Sequence, residues 1–349
     1  MRFLFIVSGQ DVPSTRFRIL PYIPILEQRG HRCDVAYSLP QKYDYYPAIG
    51  WRLSQLLKRM VRHWHSFLAS ARSYDAIVIE REVFDDDSIT IEKKLRKATG
   101  RLILDVDDGV FLLHPDKFDQ LARMVDTSIA GNRWLREYLE VRSPRTEQIP
   151  TCVLLKDYPQ REANKQRQDK PNVGWIGTTH NAAFLSVAAT ALRRLAENHP
   201  FQLVIVAPSR EKLDELDLGD VAVDFRPWSA KTEVGDLLDM DLGLMPLPDG
   251  EEWMKYKCGL KLIQYLAVGI PGIGSPIGVN EEILDGNRVG RAARDDQEWY
   301  DSLKELVTSP RLRTELGQAG RKLVEAEYSI EGNAAKLEQI LTGQSEQTE

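Results

Sequence analysis

Short apolar runs alternate with stretches of helical period along most of the chain. The first half opens with Phe3 to Val7, passes through a helical stretch from Arg16 to Arg29, and returns to an apolar run at Cys33 to Ala36. Ala76 to Ile79, Leu102 to Leu104 and Ser128 to Ala130 repeat the rhythm, with helical patterns between them. Runs too short for helices, alternating with helices, predict βαβ units and a parallel sheet. From Tyr158 to Pro171 the chain turns polar and charged with no apolar period, which reads as an interdomain linker. The rhythm then resumes with Asn172 to Ile176, Phe201 to Val206, Val221 to Phe225, Leu242 to Met245 and Ile270 to Ile273. The pattern predicts an α/β protein of two Rossmann-like domains, 1–160 and 172–328. A last helical pattern, Ile330 to Leu341, follows Ser329, placed as its N-cap. Residues 343–349 lack apolar content and are expected to be disordered.

At 349 residues the chain is long enough for two cores of about 150 residues each. A formal net charge of −6 argues against nucleic acid as the partner, since phosphate backbones recruit basic surfaces. Cys33, Cys152 and Cys258 are an odd number at wide spacing, so neither a disulfide framework nor a zinc site is indicated. The apolar start, Arg2 to Val7, is too short for a signal-peptide core, and no run approaches the ~20 residues needed to span a membrane. These features suit a reducing, cytoplasmic setting.

One stretch departs from the acidic average. From Tyr45 to Tyr74 there is no acidic residue, while Arg52, Lys58, Arg59, Arg62 and Arg72 interleave with Trp51, Leu53, Leu56, Leu57, Met60, Val61, Trp64, Phe67 and Leu68. This predicts a basic amphipathic helix over 51–72. Such a helix lies in an anionic membrane interface, binds a phosphorylated acceptor, or packs its apolar face on the first sheet.

Residues 255 to 282 join a basic glycine-containing loop, an amphipathic helix, a buried strand and a second glycine loop. In an open α/β sheet, ligands settle outside the carboxyl ends of the strands, where helix N-termini offer unpaired N–H groups to an anion. Gly259 permits close approach to the backbone, and Lys257 and Lys261 place two charges one turn apart. Leu260, Ile263, Leu266 and Ala267 form the buried face, leaving Lys261, Gln264 and Tyr265 on another. Thr178 and Thr179, after Gly177, suit a phosphate or simply cap the next helix. Gly278 turns backbone N–H groups toward an anion or makes a structural turn. Trp228 follows another strand, where it holds a base edge or packs in the core. In the first half Asp105, Asp107 and Asp108 cluster at a strand end, and they are either functional or solvated caps. Arg16 and Arg18 stand in the first turns of a helix, against its dipole, which implies an anion or an ion pair with those aspartates.

The run from Cys258 to Ile273 resembles the signature of GT-B nucleotide-sugar glycosyltransferases, in particular glycosyltransferase family 4, where a glycine loop opens a helix ending in Tyr-Leu-Ala-x-Gly-x-Pro. The resemblance covers both halves and implies two Rossmann-like domains facing each other across a cleft, with the last helix, 329–342, returning to the first. It implies a metal-independent, retaining transfer of sugar from a UDP- or GDP-sugar to a glycan or lipid-linked acceptor, with no cofactor beyond the donor. Lys257, Lys261, Thr178, Thr179, Gly278 and Arg16 would hold the diphosphate, and Gln264 and Trp228 the ribose and base. Asp107, Asp108 and Lys261 would be catalytic, with Arg18 and Asp107 on the acceptor side. Two glutamates that frame this motif in many relatives are Tyr256 and Gln264 here, which moves the first carboxylate's role to Glu251 or Glu252, or removes it. A catalytically silent sugar-nucleotide or glycan-binding protein and a nucleotide-sugar 2-epimerase are the alternatives. No GxGxxG follows either opening strand, against a dinucleotide oxidoreductase. With a lipid-linked acceptor, residues 51–72 would touch the inner face of an anionic membrane.

Overall fold

The computed structural model describes residues 1–162 and 170–343. Half of the polar stretch read as a linker (163–169) and most of the tail (344–349) lie outside them. The chain forms two compact units, Met1–Cys152 with the C-terminal stretch from Ile330, and Val153–Ser329.

In the first unit, β1 (Arg2–Val7), β2 (Arg32–Tyr37), β3 (Ala76–Glu80), β4 (Leu102–Val106), β5 (Thr127–Ala130) and β6 (Thr146–Gln148) form one parallel sheet in the order β2-β1-β3-β4-β5-β6. β3, β4 and β5 are buried along their whole length, as strands covered by crossover helices on both faces must be. The covering helices are α1 (Ile23–Gln28), α2 (Gly50–Ala71), α3 (Thr90–Ala98), α4 (Pro115–Met124) and α5 (Arg133–Glu140). The continuous helix expected over Arg16 to Arg29 is broken into a π turn at Thr15–Ile19, a 3-10 turn at Leu20–Tyr22 and α1. Pro21 and Pro24 lack the amide donors that an uninterrupted α-helix needs. The helix over 51–72 forms as α2, but its apolar face does not pack on the sheet; the basic side chains Lys58 and Arg62 do the packing and Trp64 and Phe67 are exposed.

In the second unit, β7 (Asn172–Ile176), β8 (Gln202–Ala207), β9 (Val223–Pro227), β10 (Leu242–Met245), β11 (Gly272–Gly274) and β12 (Gly290–Ala292) form a second parallel sheet in the order β12-β11-β10-β7-β8-β9. Its helices are α6 (Ser186–Ala196), α7 (Glu233–Leu238), α8 (Glu252–Lys255), α9 (Leu260–Ala267), α10 (Val279–Leu284), α11 (Asp296–Thr308) and α12 (Pro310–Glu327). Trp175, Leu192, Ile205, Leu244 and Trp299 belong to one buried apolar cluster of this unit. The last helix, α13 (Ile330–Thr342), returns to the first unit, where Arg29 and His31 hold Glu338 at 2.6 and 2.7 Å.

Both sheets reverse their strand order once, between β1 and β3 and between β7 and β10. At such a reversal the two flanking crossovers run to opposite sides, which leaves a crevice at the carboxyl ends. β7 and β10 pair only through Val173–Leu242 and Gly174–Gly243. Beyond that point the Tyr265 hydroxyl bridges them, accepting from the Ile176 amide and donating to the Leu244 carbonyl, each at 3.2 Å. Gly243 makes room for it, since a Cβ there would stand 2.3 Å from the Tyr265 ring.

Candidate active site

β7 delivers the chain into Gly177-Thr178-Thr179 beside the second unit's strand reversal. Lys261, in the first turn of α9, runs along this loop: a Cβ at Gly177 would lie 2.8 Å from Lys261 Cε. Its ammonium sits 5.5 Å from the centroid of the Trp175 ring, and that of Lys257 6.0 Å from the ring of Phe184, in the turn that Thr179 opens. Thr178 is exposed, and Thr179 makes no side-chain capping bond, so capping does not account for Thr179. Gly278 takes φ +57° and approaches Lys255 so closely that a Cβ would lie 2.3 Å from its carbonyl oxygen. Gly259, at φ +64°, starts α9 in the left-handed region that only glycine enters cheaply. The loops carrying Lys257, Lys261, Thr178, Thr179 and Gly278 are thus packed together around one strand reversal.

α9 is more buried than its periodicity suggests. Gln264 and Tyr265, expected on the open face, are both buried, because the helix is covered on further sides by β10 and α12. Gln264 Nε2 donates to Glu233 Oε1 at 3.0 Å and to the Tyr158 hydroxyl at 3.1 Å. Trp228 Nε1 donates to the other oxygen of Glu233 at 2.7 Å. The two residues read as ribose and base contacts therefore meet on a buried carboxylate in the first turn of α7. Sequence reading missed Glu233; its signal was an acid in the first turn of a helix four residues after Ser229. It also missed Tyr158, which was assigned to the linker. The Tyr256 hydroxyl stands 3.4 Å from Glu252 Oε1, so a carboxylate one turn upstream lies beside the first of the two substituted positions.

In the first unit, Arg18 is committed to the interior. Its guanidinium grips both oxygens of Asp105 at 2.6 and 2.7 Å and donates to the Ile149 carbonyl at 3.1 Å, all buried. Of the two readings of Arg18, the ion pair with the aspartate cluster is present, and its side chain is 2% exposed. Burial pushes the Asp105 carboxyl up, against the pull of Arg18. Asp107 instead pairs with Arg81, at the end of β3, whose Nη1 donates to the Tyr43 hydroxyl at 3.2 Å. Burial works to raise the Asp107 carboxyl, but the charge and hydrogen bond of Arg81 outweigh it and hold the group below its ordinary range. Asp108 lies 3.9 Å from Arg81 and accepts from the Gly109 amide at 3.0 Å. Arg81 was not foreseen; it takes φ +58°, rare outside glycine and frequent at functional sites. Arg16 is half-buried over the Phe17 ring, in the first unit, whereas the other diphosphate candidates lie in the second. Among the described residues, no group of three or more His, Cys, Asp or Glu is placed to hold a metal ion.

Residues 170–309 match the family described as Glycosyl transferases group 1. No curated protein matches the chain in sequence. In three dimensions the chain is similar to sucrose-phosphate synthase from Thermosynechococcus elongatus, with a TM-score of 0.76 and 15% identity over 97% of this chain and 98% of that one. HepE from Anabaena, solved in complex with UDP and glucose, gives 0.66 and 15% over 98% and 100%. A glycosyltransferase from Rickettsia africae gives 0.71 and 12% over 98% of each. These likenesses carry the fold of both units, and the family match carries the segment with Lys257 and Lys261. The chain has the GT-B fold of these structures, and its residues 170–309 match the Glycosyl transferases group 1 family.

Proposed function

We propose that the chain transfers a sugar from a UDP- or GDP-sugar to a glycan or lipid-linked acceptor, with retention of the anomer and without a metal. The observation that carries this reading is the packing of Lys257 and Lys261 against the Gly177–Thr179 loop at a strand reversal, beside Gly278. Two ammonium groups and a set of turned backbone amides suit a diphosphate, which two similar proteins support: HepE was solved with UDP and glucose, and an Escherichia coli protein with UDP-2-fluoro glucose.

In the reaction the bond between the sugar and the diphosphate breaks as the bond to the acceptor oxygen forms, and the acceptor proton leaves with the departing phosphate. Charge grows on the diphosphate, so fixed cations stabilise the transition state more than the ground state. Lys261 takes that role, with Lys257 beside it. Glu233 supplies the carboxylate that Gln264 lacks, presenting it toward the ribose with Trp228 alongside. Asp107, kept ionised by Arg81, is a poor proton acceptor and serves with neighbouring Asp108 to orient the acceptor.

Calorimetry with UDP and GDP, with and without magnesium, tests the site. One nucleotide should bind, indifferent to magnesium, and Lys261→Ala should weaken it by about tenfold to a hundredfold. Absence of binding by both nucleotides would remove the donor-site assignment. Binding without turnover of any sugar conjugate would favour the silent-protein reading, which the substitution at Tyr256 motivates.

A further inference from the structure

Helix α2 turns its faces the opposite way from a helix of ordinary surface packing. Its buried positions are Ser54, Lys58, Arg62, Ser66 and Ala69, three or four residues apart on one face. Lys58 donates to the carbonyls of Lys42 and Asp44 at 2.6 and 3.2 Å, and Arg62 to those of Val7 and Ala36 at 2.6 and 2.9 Å. Burial lowers the Lys58 ammonium and brings the Arg62 guanidinium down to about 10. On the opposite face Leu53, Leu56, Met60, Trp64 and Phe67 are between 55% and 60% exposed, and Trp64 and Phe67 stack at 5.5 Å. Tyr43, Tyr45, Tyr46 and Ile49, just before the helix, are exposed as well. Burying two cations while leaving a stripe of large apolar side chains in water is unfavourable on both counts, unless something apolar covers the stripe.

The charge pattern selects the cover. Arg52, Arg59 and His63 fall on one flank of the stripe and Arg72 at its end, all exposed, with Arg59 also paired to Asp86 at 2.6 Å. No carboxylate occurs between residues 45 and 74, so a second copy of this face offers these cations no counter-charge from its own α2. Exposed tryptophan and tyrosine beside an apolar stripe and a basic flank suit the headgroup layer of a bilayer. Among the described residues no helix is long and apolar enough to cross a membrane, so a bilayer contact through α2 would run along its surface.

We propose that α2 seats this protein on an anionic lipid bilayer, its Leu53-to-Phe67 stripe entering the acyl boundary and Arg52 and Arg72 meeting the headgroups. The residues that enter are the apolar ones; Lys58 and Arg62, which the sequence offers to the lipid, belong to the interior. This inference is independent of the donor-site reading.

Co-sedimentation of the full chain with vesicles tests it, using phosphatidylcholine alone and an equal mixture with phosphatidylglycerol. The wild-type protein should pellet with the mixture and less with phosphatidylcholine alone. Trp64→Glu with Phe67→Glu should weaken binding by more than about a hundredfold, while far-UV circular dichroism and nucleotide binding stay unchanged. Arg52→Glu with Arg72→Glu should cost about tenfold or more on the mixture and little on phosphatidylcholine. The proposal is overturned if the wild type ignores both vesicles, or if the double-glutamate variant at 64 and 67 binds them as the wild type does. A solution dimer split by that same variant, with no vesicle binding, would assign the stripe to a second copy and equally overturn it.

Discussion

Gln264 donates to the carboxylate of Glu233 across 3.0 Å, and both side chains are buried. Position 264 is where the resembled family places a glutamate, so the substitution that restores that residue has a defined physical consequence. Gln264→Glu would set two buried carboxylates in contact, and one of them must take up a proton. That carboxyl's folded pKa would lie above its unfolded value near 4.3, so the variant's stability should fall as pH rises through and beyond that value. We expect Gln264→Glu to lose about 2 kcal/mol at pH 8 and much less at pH 5. Adding Glu233→Gln, which exchanges the two roles, should recover most of the loss. Thermal unfolding of the wild type and the two variants at the two pH values checks this, and an unchanged midpoint for Gln264→Glu at pH 8 contradicts it.

Arg81 both pairs with Asp107 and holds a left-handed backbone, and the two effects separate by substitution. Arg81→Ala and Arg81→Gly each leave Asp107 without this partner, but only alanine keeps the steric penalty of φ +58°. The glycine variant should be the more stable of the two by about 1 kcal/mol. In the wild type the depressed Asp107 carboxyl contributes stability that is present above its unfolded value near 3.9 and is lost as pH falls through the folded one. Both variants should lack this contribution, so their deficit against the wild type narrows in acid. Denaturant titrations between neutral pH and pH 3 measure it; a constant deficit would refute the pairing.

Arg18 separates structure from binding. Removing a guanidinium from a buried fork leaves Asp105 uncompensated, at a cost of about 3–5 kcal/mol. Arg18→Ala should therefore lower the unfolding midpoint sharply, and Arg18→Lys should repair it only in part, because an ammonium cannot satisfy two carboxylate oxygens and the Ile149 carbonyl together. A variant that melts like the wild type but fails with acceptor would return Arg18 to the acceptor side.

The strands that bury both faces were legible as apolar runs, from Phe3 to Val7 and Leu242 to Met245 among others, because continuous burial leaves no polar position to break them. β6 and β12 were not, since Thr-Glu-Gln and Gly-Arg-Ala carry no apolar signal and pair at the sheet edges. The segment after β1 had helical period, but Pro21 and Pro24 divide it. The lysine–glycine loop and the Gly177 loop could be placed at strand ends from local sequence. Glu233 could not be placed against Gln264, because 31 residues separate them and only the tertiary fold brings the two side chains together. The faces of α2 were misjudged for a similar reason: periodicity tells that two faces differ, and tertiary packing decides which one goes inside.

Tyr265 joins the signature helix to the strand reversal, and this gives the most direct test of how the helix shapes the loop above it. Its hydroxyl is the partner of the Ile176 amide and the Leu244 carbonyl where β7 and β10 part, with Gly177 next in the chain. Tyr265→Phe keeps the ring against Gly243 and removes only the bridge, so any change comes from two buried backbone groups left without that partner. Such groups cost about 1–3 kcal/mol each when unpaired, so the midpoint should fall by several degrees. Freed from its tether, Ile176 would let the Gly177–Thr179 loop shift relative to Lys261, and nucleotide affinity should drop as well, although residue 265 itself is buried. Calorimetry below the variant's unfolding midpoint separates the two effects. A lower midpoint with wild-type affinity would mean that the bridge stabilises the sheet without positioning the loop.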